Sequence, residues 1–167
     1  MADIQGNGFS HPVRVGVISD THGLLRPEAI EALQGVDQIV HAGDIGNPRI
    51  LDDLRRIAPV SAVRGNVDLG SWALDLPTTQ LVEAGKALLY VVHDLSTLDL
   101  DPRAAGFQVV ISGHSHRPLI ERREEVLFVN PGSAGPRRFR LPVSLVRLEI
   151  SDQGIVPQLV QILDTSP

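Results

Sequence analysis

The chain has no cysteine, which excludes disulfides, a thiolate nucleophile and thiolate-ligated metals. Lysine is nearly absent too: Lys86 is the only one, and arginine supplies the remaining permanent positive charge. Acidic residues outnumber Lys and Arg by 20 to 15, a net charge of −5, which disfavours bulk nucleic-acid binding but leaves room for a small anion at a local positive site. No apolar run approaches the roughly 20 residues that span a bilayer, so no membrane partner is expected. The first residues, MADIQGNGFSHP, have neither a basic nor an apolar region of the secretory kind. Residues 1–12 read as a flexible leader, 13–167 as one domain, and the location as cytoplasmic. At 167 residues, 43% hydrophobic, the chain is long enough to bury a sizeable core.

Short apolar runs alternate with helical spacings in the first half. Val13–Ser19, Gln38–His41 and Val60–Arg64 read as buried strands, with helices predicted from Pro27 to about Leu33 and from Arg49 to about Ile57. This β-α-β-α-β order predicts parallel strands with right-handed crossovers. The second half reads differently. Thr79–Glu83 and Ala87–His93 form a hairpin pattern, Pro102–Ala105 suggests one or two helical turns, and further strands fall at 109–112, 119–122, 126–129, 144–150 and 155–163. The fold class is therefore α/β (α+β): two packed, mostly β sheets flanked by helices.

Polar donors gather at the ends of these runs. Asp20, His22, Asp44, Asn66, His93, His114 and His116 lie at or just beyond strand ends, and VHAGD, AVRGN and VISGH place a glycine directly before the donor. Glycine there allows a sharp turn, and strand carboxyl ends are where open α/β sheets bind ligands. In Asp20-x-His22 and His114-x-His116 the donors are two apart, which in extended chain directs both to one side. Carboxylate, carboxamide and imidazole suit Mn, Fe, Zn, Co or Ni. Seven donors are too many for one tetrahedral ion and fit two ions sharing a carboxylate, an arrangement that stabilises the entering and leaving oxygens of an in-line displacement. Two divalent ions, two carboxylates and a hydroxide bridging the metals leave a charge near +1, matched to a phosphodiester and tolerant of a monoester.

DTHG from Asp20, GD at Asp44, RGN from Arg64, the strand-terminal His93, GHSH from Gly113 and NPGS from Asn130 resemble, in order and spacing, the calcineurin-like metallophosphoesterases. The resemblance runs from about Val13 to Leu148 and is closest to the small bacterial and archaeal phosphodiesterase branch. It implies an αββα sandwich and a binuclear centre, with one ion on Asp20, His22, Asp44 and His116 and a second on Asp44, Asn66, His93 and His114. Manganese is the first candidate, before Fe, Zn, Ni or Co. The second position has only the shared carboxylate, so its ion is expected to leave more readily.

Two positions depart from the family. Val67 follows Asn66 where larger members carry a proton-donating histidine, and Asp94 follows His93 where glycine is usual. Asp94 reads either as an orienting carboxylate for His93 or as a solvent-facing residue. Other residues weigh evenly between support and function: Asp68 as a prop for the Asn66 loop or an ordinary turn, His41 as an outer partner or a satisfied strand-end histidine. Arg117 and Arg137 are the substrate-phosphate candidates within an arginine-rich neighbourhood that includes Arg138 and Arg140. Trp72 reads as a packing residue. The function that follows is a metal-dependent phosphodiesterase acting on a small phosphoester, with a phosphomonoesterase or nucleotidase, or a non-catalytic protein-binding scaffold, as alternatives; a homo-oligomer is compatible with either.

Overall fold

The computed structural model describes residues 11–163, so most of the leader lies outside the described residues. Among these residues, ten strands form two five-stranded sheets. The first contains β1 (Val13–Ile18), β2 (Gln38–His41), β3 (Val60–Ala62), β9 (Ser144–Ser151) and β10 (Gly154–Gln161), in the order β10-β9-β1-β2-β3. The second contains β4 (Thr79–Ala84), β5 (Ala87–Val92), β6 (Val109–Ile111), β7 (Leu119–Arg123) and β8 (Val126–Asn130), in the order β4-β5-β6-β8-β7.

The predicted strands are all present, and β1, β2 and β3 pair in parallel. β4 and β5 form the expected hairpin, Thr79 opposite Val92 and Ala84 opposite Ala87. β6 then adds to β5 in parallel and β8 adds to β6. The first sheet thus has its parallel set β1-β2-β3 on one side and antiparallel β9 and β10 on the other, the second a parallel centre between two antiparallel edges, and the carboxyl ends of both parallel sets supply the donors.

Period-two alternation sorts the side chains. Val15, Val17 and Val40 of the first sheet meet Leu89, Val91, Val109, Ile111 and Val129 of the second in a dry layer between the sheets. The alternate residues Ile18 and Ile39 face α1 (Pro27–Ala32) and α2 (Pro48–Arg55), packing with Leu33, Ile50 and Leu54. Pro27 opens α1 as its fixed φ favours. Asn47 caps α2, its side-chain oxygen accepting from the Arg49 N–H at 3.0 Å.

Among the described residues, the α-helices flank only the first sheet. The outer face of the second, with Tyr90, Val92, Val110 and Phe128, is covered by Leu95, Leu98, Leu100 and Phe107 on the segment after β5. That segment holds a 3₁₀ turn at Leu95–Thr97, and residues 102–106 are hydrogen-bonded turns instead of the predicted helix. Asp101 caps this turn, its side chain accepting from the N–H groups of Arg103 and Ala104, and Gly106, at a φ of 84°, ends it before a second turn can form. A one-turn helix, α3 (Ser71–Leu74), was not predicted; its Trp72 packs against the helical core. No helix among the described residues is long and apolar enough to cross a membrane.

Leu89 is fully buried at the centre of the layer between the sheets. Leu89→Ala should cost about 2–5 kcal/mol, read as a lower urea midpoint with an unchanged m-value.

Candidate metal centre

The seven predicted donors come together at one end of the sandwich, delivered by five strands. β1 leads into Asp20 and His22, β2 into Asp44, β3 into Asn66, β5 into His93, and β6 into His114 and His116. Two groups form. Asp20, His22 and His116 present ligand atoms within 4.8 Å of one another, and so do Asp44, His93 and His114.

The paired donors do not converge through an extended backbone, as their spacing suggested. Asp20, His22, Asp44, His114 and His116 all have positive φ, between 45° and 67°. This left-handed conformation is uncommon for residues with a Cβ and is held only where the surroundings impose it. Gly43, at a φ of 96°, makes the expected turn before Asp44, whereas Gly65 and Gly113 act differently from the expectation. A Cβ on Gly65 would overlap the backbone nitrogen and Oδ1 of Asp44, and one on Gly113 would overlap Ser19 Oγ. Close approach of the loops, more than turning, excludes a side chain there.

Both carboxylates divide their oxygens in the same way. Asp20 Oδ2 accepts from Ser19 Oγ at 2.6 Å and from the His114 N–H at 3.1 Å. Its Oδ1 is buried with no hydrogen-bond partner among the described residues, 3.1 Å from His116 Nε2 and 3.8 Å from His22 Nε2. Asp44 Oδ1 accepts from the Val67 N–H at 3.0 Å, while Oδ2 faces His22 Nε2 at 3.8 Å and His93 Nε2 at 3.3 Å. Each carboxylate is tethered by one oxygen and presents the other inward, and Asp44 faces both groups.

The imidazoles converge on the same points. His22 Nε2 and His116 Nε2 are 3.2 Å apart. His93 Nδ1–H donates to the Ala42 carbonyl at 2.7 Å, which turns Nε2 toward Asn66 Oδ1 at 3.0 Å. Asn66 Oδ1 also lies 3.1 Å from His114 Nδ1. Nitrogen and oxygen lone pairs facing one another at such distances require a proton or a cation between them. The buried, unpartnered Asp20 Oδ1 and the oxygen and nitrogen donor set fit divalent metal ions.

Electrostatics agree. Burial raises the Asp20 carboxyl to about 6. Burial lowers His22, and burial with the Arg138 charge lowers His116 to about 4, so both favour the neutral, ligating form. At Asp44 burial acts upward, but hydrogen bonding to His93 and the Val67 N–H outweighs it and keeps the carboxylate charged. His93 is raised because its bond to Asp44 outweighs its own burial.

The surroundings resolve several open readings. Asp68 is buried and joins two donor loops, its oxygens accepting from the Gly46 and Gly65 N–H groups, each at 2.8 Å. His41 is fully buried: Gly43 N–H donates to Nδ1, which leaves the proton on Nε2, and that donates to Thr21 Oγ1 at 3.0 Å. Thr21 in turn donates to the Ile45 carbonyl, clipping the Asp20 loop to the Asp44 loop. Asn130 holds the GHSH loop by donating to the Gly113 carbonyl. Asp94 does not orient His93, whose Nδ1 is taken by Ala42; its side chain caps the 3₁₀ turn and lies 3.9 Å from His114 Nε2. That capping bond to Ser96 holds the Asp94 carboxyl below its usual range.

Two grooves border the centre. One, about 350 Å³, is lined by Arg64, Asn66, Thr78, His93 and Thr97; the other, about 380 Å³, by Leu95, Ser115, Arg117, Pro118 and Asn130; both include Asp94 and His114. Arg117 thus flanks the His114 side. Arg137 and Arg138 both lie in the exposed 136–140 loop, and the Arg138 charge helps to lower His22 and His116.

A two-sheet sandwich with such donors at the strand ends has the form of a metallophosphoesterase. Residues 13–153 match the model of the calcineurin-like phosphoesterase superfamily domain, and the chain belongs to that superfamily. It is 37% identical over 153 residues to a probable metallophosphoesterase of Methanocaldococcus jannaschii, covering 83% of this chain and 77% of that protein. It is 30% identical over 173 residues to the phosphodiesterase YfcE of Escherichia coli, covering 84% and 94%. In fold it resembles vacuolar protein sorting 29 from Cryptosporidium parvum, with a TM-score of 0.79 at 19% identity over 93% of this chain and 94% of that one.

The buried His41 gives a pH test. Burial lowers it from 6.5 to about 3, so the unfolded chain binds this proton first as pH falls. Its contribution is complete above pH 6.5 and is lost progressively between there and about 3. His41→Gln, assayed with chelator present, should lower stability near pH 7 by about 1 kcal/mol and flatten the urea midpoint against pH across that window. An unchanged slope would contradict the assignment.

Proposed function

We propose that this chain is a metal-dependent phosphodiesterase with a binuclear centre. Asp20, His22 and His116 would hold one divalent ion and Asn66, His93 and His114 the other, with Asp44 shared between them. The observation that carries this reading is Asp44 Oδ2, presented to both imidazole groups while Oδ1 is tied to the Val67 N–H. Manganese is the first candidate for both positions. Two such ions supply an activated water as nucleophile and stabilise charge on the phosphoryl oxygens.

The protein's own groups set position and selectivity. His93 keeps its Nδ1 proton on Ala42 and so directs Nε2 inward. Asp68 and His41 fix the spacing of the loops that carry Asp44, Asn66 and Asp20. Arg138 adds positive charge on the His22 and His116 side, suited to a phosphoryl oxygen. Each groove falls within the usual range for small-ligand pockets, and two grooves beside one centre suit a diester with one substituent in each.

Val67 stands after Asn66, 42% exposed and without a transferable proton. A leaving group must then depart with little help, and general acid catalysis is typically worth about 10²–10⁴-fold. Aryl phosphodiesters should therefore turn over faster than alkyl ones by a factor of that order; equal rates would contradict the assignment. Asp44→Asn should lower metal content below two ions per chain and abolish most Mn²⁺-dependent turnover of bis-p-nitrophenyl phosphate, with circular dichroism unchanged. Full metal retention would remove Asp44 from the shared position. Two ions bound by the unmodified chain without turnover of any diester or monoester would favour a non-catalytic binding platform.

A further inference from the structure

Asp94 lies against the centre without belonging to either donor group. Its position is fixed independently of any metal. Its Oδ1 accepts from the Ser96 N–H at 2.9 Å, and its carbonyl accepts from Thr97 Oγ1 at 2.7 Å. The other oxygen, Oδ2, lies 3.9 Å from His114 Nε2. The same imidazole turns Nδ1 toward Asn66 Oδ1 at 3.1 Å. His114 is therefore set between a carboxylate on its outer nitrogen and the donor cluster on its inner one.

The two metal positions differ in how their histidines are held. His93 has the Ala42 carbonyl on its outer nitrogen. His116 Nδ1, at the first position, is buried with no hydrogen-bond partner among the described residues. His114 is the most exposed of the three, its side chain 47% accessible, and the Asp94 carboxylate is the acidic group facing its outer nitrogen. Negative charge on the outer side of a ligating imidazole fixes its tautomer and strengthens it as a donor.

We infer that Asp94 is a positioning residue for the second metal: it holds His114 with Nδ1 directed inward and adds negative charge beside the ion bound by Asn66, His93 and His114. This rests on the binuclear reading above. It gives the second position a compensating charge, since Asp44 is the only carboxylate among that position's ligands and is shared. Asp94 also lines both grooves. The same charge sits where substrate enters and disfavours a dianionic monoester more than a monoanionic diester.

Asp94→Asn is nearly isosteric and keeps an oxygen to cap the 3₁₀ turn, so it removes charge and little else. Mn²⁺ titration of the metal-free chain by calorimetry should show two ions, the weaker losing about 10–100-fold in affinity in Asp94→Asn, the typical effect of an outer partner. The stronger ion should be unaffected, and Asp94→Glu should recover most of the loss. At saturating Mn²⁺, KM for an aryl monoester should fall more than KM for the aryl diester. If the unmodified chain binds two ions and Asp94→Asn binds both as tightly, the inference is overturned and the binuclear reading stands. Equal weakening of both ions, or no recovery in Asp94→Glu, also overturns it. A single ion in the unmodified chain overturns both.

Discussion

The centre depends on a backbone constraint: five of its seven donors occupy left-handed conformations that residues with a Cβ seldom adopt. Each such residue costs of order 1–3 kcal/mol, and the surrounding loops supply what offsets it. The pairing of β1 with β2 continues past the strand ends. Asp20 N–H donates to the Gly43 carbonyl and His22 N–H to the Asp44 carbonyl, each at 3.0 Å. Gly113 N–H donates to the His93 carbonyl at 2.9 Å, and Ala134 N–H to the Ser19 carbonyl at 3.0 Å. The donor loops are thus laced to one another across both sheets, with no room for a side chain at Gly65 or Gly113. The dry layer between the sheets keeps those strand ends in register, and so the fold and the site depend on each other.

Upon that frame the electrostatics follow a repeated arrangement. Asp20 and Asp44 each give one oxygen to backbone or hydroxyl donors and present the other to imidazole nitrogens. Burial leaves His22 and His116 neutral and raises Asp20, while His93 keeps Asp44 charged. A divalent cation would relieve these strained pairings together, because it replaces the protons that lone pairs now require. Asp94 and Arg138 then bias opposite sides of the centre, negative beside His114 and positive beside His22 and His116.

Much of this was legible in the sequence because buried strands announce themselves and polar residues at their ends stand out. The parallel β1-β2-β3 set, the β4-β5 hairpin and the gathering of seven donors all followed from those signals. The order of strands in each sheet did not, since β9 joins β1 through contacts more than 120 positions apart in the chain. α3 and the 3₁₀ turn were too short to have a period. The direction of Asp94 was hidden because it depends on a cap formed two residues later.

The central claim is a pair of ions flanking Asp44. Anomalous diffraction from Mn²⁺-loaded crystals tests it most directly. Two peaks about 3.5–4 Å apart are predicted, one among Asp20, His22 and His116 and one among Asn66, His93 and His114, with Asp44 between them. A single peak, or two peaks without Asp44 in contact with both, would contradict the account.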